Sequence, residues 1–82
     1  MERRRTYERL RANPAGVRFR ELCRAAELFG FELRRIRGSH HIYGRRGVPR
    51  LLNFQDVRGA AKPYQVRQFV RAVEEFGLLE KE

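Results

Sequence analysis

The chain has 82 residues, with 19 Lys and Arg against 10 Asp and Glu, and a formal net charge of +9. This length fits one small domain, and the charge favours nucleic acid, anionic membrane or an acidic protein as partner. The one cysteine, Cys23, excludes a disulfide-built secreted domain. No apolar run approaches about twenty residues and no secretory signal is visible, so we expect a cytoplasmic protein without a membrane span.

The first helix is predicted over residues 2–12, where Tyr7 and Leu10 are the only sizeable apolar side chains. It ends in an Asn-Pro-Ala-Gly run at residues 13–16, because proline restricts the residue before it and glycine permits a turn. We expect residues 1–18 to form an N-terminal helical arm that packs lightly on the domain.

An amphipathic helix is predicted over residues 19–29, where apolar side chains recur at spacings of three and four. Cys23 lies on its apolar side as a small core residue. Gly30 follows at the position where helices end in left-handed geometry.

Three strands are predicted next, over residues 31–36, 40–43 and 48–54, with Gly38-Ser39 near the first turn. Residues 56–61 are expected to form a loop. A final helix over residues 63–76 begins at Pro63, which suits a first helical turn. Residues 79–82 form a short tail.

This order of elements predicts an α+β fold. Its economical form is a three-stranded antiparallel sheet with two helices packed on one face, plus the short N-terminal helix. The other face of the sheet is then free to carry polar and basic side chains.

The only two histidines, His40 and His41, directly follow Gly38-Ser39, and residues 34–50 hold six arginines and no acidic residue. Imidazole exchanges a proton near neutral pH, and arginine stabilises phosphate anions. Cleavage of RNA needs only these groups, since the ribose 2′-OH is an internal nucleophile. The alternative interpretation is that the two histidines are simply polar residues on a half-exposed strand.

The sequence offers little support for metal binding or for a serine nucleophile. Adjacent strand residues point to opposite faces, so one metal ion could hardly take both histidines, and no carboxylate lies nearby. Ser39 is the only serine, and its adjacent histidine cannot readily turn to meet it. We therefore expect no metal and no cofactor.

Lys62, at the start of the last helix, could form a phosphate site with nearby amides or could simply be solvated. Tyr43 and Tyr64 could stack on bases.

Gly30-Phe31, Arg35 and the run Gly38-Ser39-His40-His41-Ile42-Tyr43 together resemble the core motif of HicA-type toxins, the small ribonucleases of bacterial toxin–antitoxin pairs. Residues 48–49, 52–55 and 61–68 are similar to a longer HicA-like branch. The resemblance covers roughly residues 19–78, with the arm outside it. In short members the third strand is often polar or contains histidine, whereas here it reads Leu51-Leu52-Asn53-Phe54.

The resemblance implies a double-stranded-RNA-binding-like fold for residues 19–78, translation-independent cleavage of mRNA, and inhibition by a HicB-type antitoxin. It places the catalytic histidine directly after Gly-Ser, at His40. Strict alternation from Arg35 would instead expose His41, but a turn at Gly38-Ser39 resets the register. We follow the resemblance and choose His40.

The sequence thus predicts a metal-independent endoribonuclease toxin with His40 as general acid or base. The predicted substrate-binding residues are Arg35, Arg37, Gly38, Ser39, His41, Arg45, Arg46 and Lys62. The expected partners are mRNA and a HicB-like antitoxin that covers the basic face with acidic groups, and the oligomeric state stays open. The alternatives are a non-catalytic RNA-binding module and a DNA-binding accessory protein; Glu74 and Glu75 on the final helix count against the latter.

Overall fold

The computed structural model describes residues 2–80, so Lys81 and Glu82 of the predicted tail lie outside the described residues. The elements in chain order are α1 (Glu2–Ala12), a short 3₁₀ helix (Pro14–Gly16), α2 (Phe19–Leu28), β1 (Glu32–Arg37), β2 (His40–Arg45), β3 (Val48–Val57), β4 (Ala60–Ala61) and α3 (Pro63–Glu75). The strands form one antiparallel sheet in the order β1-β2-β3-β4. The predicted α+β class is confirmed.

The prediction of three strands with a loop over residues 56–61 is wrong, because β3 continues to Val57 and β4 pairs with its end. A two-residue turn joins them, in which Arg58 and Gly59 have φ of 54° and 86°. Such turns favour Asn-Gly, and an arginine in left-handed geometry is uncommon, so no hairpin signal is visible at these residues. Backbone bonds from Ala61 to Val17 (3.0 Å) and from Phe19 to Gly59 (2.9 Å) cover the outer edge of β4.

The hydrophobic core lies between one face of the sheet and the helices. Phe29, Phe31, Phe54 and Phe69 are its largest fully buried side chains. The ring of Phe69 meets the other three edge-on, with centroids 5.7 to 6.5 Å apart. Each such ring contributes about 1.5–3 kcal/mol through burial alone. We call this side of the sheet the covered face.

The expectation that the N-terminal arm packs lightly is wrong. Leu10 is 0% exposed and belongs to the same core. The Tyr7 hydroxyl donates a 2.6 Å hydrogen bond to Glu74 on α3, and Arg9 is paired with Glu21 on α2. The hydrogen bond to Glu74 raises the pKa of Tyr7. Two apolar side chains three residues apart therefore suffice to dock α1 when polar contacts flank them.

The opposite side, which we call the open face, carries none of the helices formed by residues 2–80. All six residues of β1 are exposed. In β3 the alternation is clear, since Leu51 is 59% exposed and Leu52 is 1% exposed. A strand with one buried and one solvated face alternates in this way. The open face is the surface on which polar side chains of β1, β2 and β3 come together.

Candidate functional site

The Gly38-Ser39 turn sets the position of the candidate site. Arg37 and His40 are register partners across it, which leaves only two residues in the loop. Gly38 has φ of +58°, as expected for glycine at the first central position of a type II′ hairpin turn. The Ser39 carbonyl accepts a 3.0 Å hydrogen bond from the Asp56 amide. The turn therefore fixes where alternation restarts in β2.

The two histidines lie on opposite faces of the sheet. The ring of His41 meets Phe19 of α2 edge-on at 4.8 Å, on the covered face. Its Nδ1 is buried and makes no hydrogen bond to any residue within 2–80. His40 is half-buried on the open face, with Arg37 of β1 and Gln55 of β3 as its register partners. Only His40 of this pair can therefore face a substrate on the open face.

Asn53 orients the His40 ring. Its Oδ1 lies 3.0 Å from Nδ1 of His40, diagonally across the β2–β3 pair. An amide oxygen can only accept, so this hydrogen bond requires a proton on Nδ1, and in the neutral ring the lone pair is then on Nε2. Sequence reasoning missed Asn53 as a site residue. Alternation between Leu52 and Phe54 could have placed it on the open face, but the strand register was not visible in the sequence.

Arginines surround His40 on the open face. Arg37 is the register partner of His40, and Arg35 is that of Ile42. Both side chains are exposed, and neither guanidinium group makes a hydrogen bond or salt bridge to another described residue. Arg34 and Leu51 lie over the backbone of Gly44, where an added Cβ would come within 3.1 and 3.0 Å of them. The open face thus presents guanidinium groups whose donors are available to an anion.

Three predicted substrate-binding residues lie apart from this group. His41 is on the covered face. Arg45 donates a 2.9 Å hydrogen bond from Nε to the carbonyl of Phe29, at the end of α2, where a cation is favoured by the helix dipole. Arg46 is exposed in the β2–β3 turn. At about 3.4 Å per strand residue, Arg46 is on the order of 20 Å from His40.

Lys62 lies between β4 and α3. It directly precedes α3, and its Nζ is 5.9 Å from the ring centroid of Tyr64, which is 49% exposed. The buried Gln65 accepts a 2.7 Å hydrogen bond from the Gln55 amide, which ties the start of α3 to the register partner of His40. Tyr64 stays available for base stacking. For Tyr43 that suggestion is wrong, because it is 3% exposed within the core.

Two further polar groups are structural. Burial raises the pKa of the Cys23 thiol, and burial also raises the pKa of the neighbouring Tyr43 hydroxyl well above its ordinary value. Both groups stay protonated near neutral pH, and a thiol is a weak nucleophile in that state. Cys23 packs against the core, as its place on the helical pattern predicted.

The described residues contain neither a metal-binding cluster nor a membrane-spanning helix. Within residues 2–80, no three His, Cys, Asp or Glu side chains are grouped closely enough to hold a metal ion. None of the helices formed by these residues has the length and apolar character needed to cross a membrane.

The fold and the site define a small basic α+β domain that presents one oriented imidazole and available arginines on an open sheet face. A family model described as the HicA toxin of bacterial toxin–antitoxin systems matches residues 19–78. The match covers most of the chain, so the chain belongs to the HicA toxin family, and the predicted resemblance is confirmed. The comparison with curated proteins found no match, and neither did the comparison with solved structures.

Membership of this family indicates a toxin of a toxin–antitoxin pair and implies an antitoxin as its partner. The α1 helix lies outside the matched residues, although Leu10 is built into the same core. The arm is therefore an addition to the family domain that this chain has packed into its own fold.

Proposed function

We propose that the protein is a metal-independent endoribonuclease that cleaves mRNA in the cytoplasm, with His40 as general acid or base. The observation that carries this proposal is the hydrogen bond between Asn53 and Nδ1 of His40, 3.0 Å long, on a face rich in available arginines. A half-exposed imidazole with a fixed tautomer is suited to proton transfer. The order helix, antiparallel sheet, helix in residues 19–78 also supports a double-stranded-RNA-binding-like arrangement.

The reaction uses the 2′-OH of the substrate as nucleophile. Nε2 of His40 accepts the 2′-OH proton while the 2′ oxygen bonds to phosphorus. The bond from phosphorus to the 5′ oxygen then breaks, and that oxygen takes a proton from water or from Lys62. The products are a 2′,3′-cyclic phosphate and a 5′-OH end, so atoms and charges balance without any cofactor.

The remaining residues bind and stabilise the phosphates. Arg35 and Arg37 lie on the same face as His40 and can donate paired hydrogen bonds to non-bridging oxygens. The exposed Gly38-Ser39 turn leaves room for the sugar-phosphate backbone to approach. Lys62 adds a charge beside the start of α3. Preorganised donors of this kind stabilise the charge that develops in the transition state.

The test compares RNA cleavage by the wild type and by His40→Gln, with EDTA present in both reactions. Glutamine keeps a polar side chain but cannot transfer a proton, so we expect cleavage to fall about 10²–10⁴-fold while RNA affinity is kept. Circular dichroism serves as the folding control. Equal cleavage by the two proteins would remove His40 from the mechanism, and loss of wild-type activity in EDTA would refute the metal-independent reaction.

The antitoxin that we propose is HicB-like and acidic, and it covers the open face. Its binding would place carboxylates against Arg35 and Arg37 and deny RNA access to His40. A non-catalytic RNA-binding module with the same fold is the second candidate, because the available arginines support binding without any chemistry. That candidate requires RNA to stay intact after long incubation with wild-type protein.

A further inference from the structure

A groove of about 780 Å³ runs between α1 and α2, on the helical side of the sheet. Five arginines line it, with three glutamates among them. The arginines are Arg5, Arg9, Arg18, Arg20 and Arg24. This surface depends on the arm, because α1 forms one of its walls and lies outside the family match. The proposed catalytic site does not use it.

Most of these guanidinium groups have donors to spare. Arg9 is engaged by Glu21 and by the carbonyl of Gly16 at 3.3 Å. Arg5, Arg20 and Arg24 are exposed, and their guanidinium groups make no hydrogen bond or salt bridge to other residues between 2 and 80. Guanidinium groups are weakly hydrated and match phosphate oxygens with paired donors. The groove is therefore suited to an anionic backbone.

Arg18, which lines the groove, lies next to the β3–β4 turn. Phe19 starts α2 between Arg18 and Arg20, and its amide bonds to Gly59 of the β3–β4 turn. The guanidinium of Arg18 also lies beside Gly59, 3.0 Å from where a Cβ would stand. That turn extends from Asp56, whose amide bonds to Ser39. Exposed arginines thus continue from the open face, past Arg58, into the groove.

We propose that this groove binds the segment of an RNA strand that lies beyond the bond cleaved at His40. The inference rests on the proposed function, because it extends the track of the same substrate. The lining favours a nucleic-acid backbone over a protein, since its apolar side chains are only Ala25 and Leu28 and none is aromatic. Protein interfaces depend on buried aromatic or large apolar anchors, whereas phosphates need only positioned cations.

The experiment measures the affinity of full-length protein for labelled 2′-O-methyl oligouridines, which lack the 2′-OH and cannot be cleaved. The oligomers have about 4 and about 16 nucleotides, the range of single-strand site sizes. The groove variant is R5Q/R20Q/R24Q. The matched control, R4Q/R67Q/R71Q, removes the same charge from exposed helical positions outside the groove. Each affinity is measured between about 50 and 200 mM salt.

We expect the groove variant to lose three phosphate contacts with the longer oligomer, so its salt slope falls by about 2. The wild type then loses about 20-fold more affinity across that salt range than the groove variant does. The short oligomer and the control variant should show little of this change. Poly-glutamate serves as the probe for an acidic protein.

Three outcomes overturn the inference in distinguishable ways. If the wild type binds both oligomers and the groove variant behaves like the control, the groove does not hold RNA, and the proposed function stands. The wild type could bind poly-glutamate as tightly as RNA, and the groove variant could lose as much affinity for poly-glutamate as for RNA. In that case the groove is an acidic-protein site. If the wild type binds neither oligomer, the proposed function fails together with the inference.

Discussion

The two faces of the sheet differ most clearly where consecutive residues of one strand lie on opposite faces. His40 and His41 are consecutive in β2, yet one is held by Asn53 on the open face and the other packs on Phe19 beneath α2. Leu51 and Leu52 separate in the same way in β3. Residues with the same chemistry therefore have different roles because of the side of the sheet they occupy.

This contrast teaches that binding and stability are divided by face in this protein. The covered face holds the aromatic core, so its residues are constrained by packing. The open face contributes almost nothing to that core, so its arginines and His40 are free to serve a substrate. Substitutions on the covered face should then change stability, and substitutions on the open face should change RNA binding or cleavage.

The largest effect on stability is expected from Leu52→Ala, which removes a side chain that is 1% exposed. Truncation of a buried leucine costs about 2–5 kcal/mol of unfolding free energy. Leu51→Ala is the matched control on the open face and should cost less than about 0.5 kcal/mol. Urea denaturation of both variants makes the measurement. Equal losses would mean that the two faces are not energetically distinct.

The next effect concerns activity and tests how His40 is oriented. Asn53→Leu removes the acceptor from Nδ1, so we expect RNA cleavage to fall about tenfold, the value of one hydrogen bond, with stability little changed. In Asn53→Asp, the added carboxylate stabilises the imidazolium, which should move the acid limb of the pH–rate profile to higher pH. An unchanged profile in Asn53→Asp would show that this residue does not act on His40.

Much of the fold could be predicted from sequence, because its signals are local. The spacing of Phe19, Leu22 and Ala26 predicted α2, and Pro63 marked the start of α3. The hairpin at Arg58-Gly59 could not be predicted, because its left-handed arginine contradicts the usual turn preferences. Its geometry is fixed by pairing with distant residues, among them Val17 and Phe19.

Only those residues of the candidate site that belong to a recognisable sequence motif could be predicted. The Gly-Ser-His motif led to His40, and the type II′ turn explains why alternation could not be carried across it. Asn53 was missed because the β2–β3 register is a long-range property. Proximity in sequence places Arg45 among the proposed phosphate-binding arginines, whereas its partner in the structure is the end of α2. Composition alone does not reveal which arginines are already engaged.

Arg45 and Arg37 therefore form a second matched pair. Arg45→Gln should lower the free energy of unfolding by about 1 kcal/mol, because a cation that caps the end of α2 is lost. Arg37→Gln should leave stability unchanged and weaken RNA binding, with a salt slope reduced by about 0.7. Thermal denaturation and RNA titration of the two variants give both readouts. Weakened RNA binding in Arg45→Gln at full stability would place Arg45 back in the site.

The smallest expected effect comes from His41→Phe. The substitution keeps the edge-on contact with Phe19 and removes Nδ1, which is buried without a partner among the described residues. A buried polar atom without a hydrogen bond costs about 1–3 kcal/mol, whereas the larger ring costs something in packing. We expect stability to be unchanged or to rise by up to about 1 kcal/mol, with RNA cleavage retained. Calorimetry measures the stability of His41→Phe, and the RNA cleavage assay measures its activity. If His41→Phe is fully stable but loses as much cleavage as His40→Gln, the covered face takes part in catalysis.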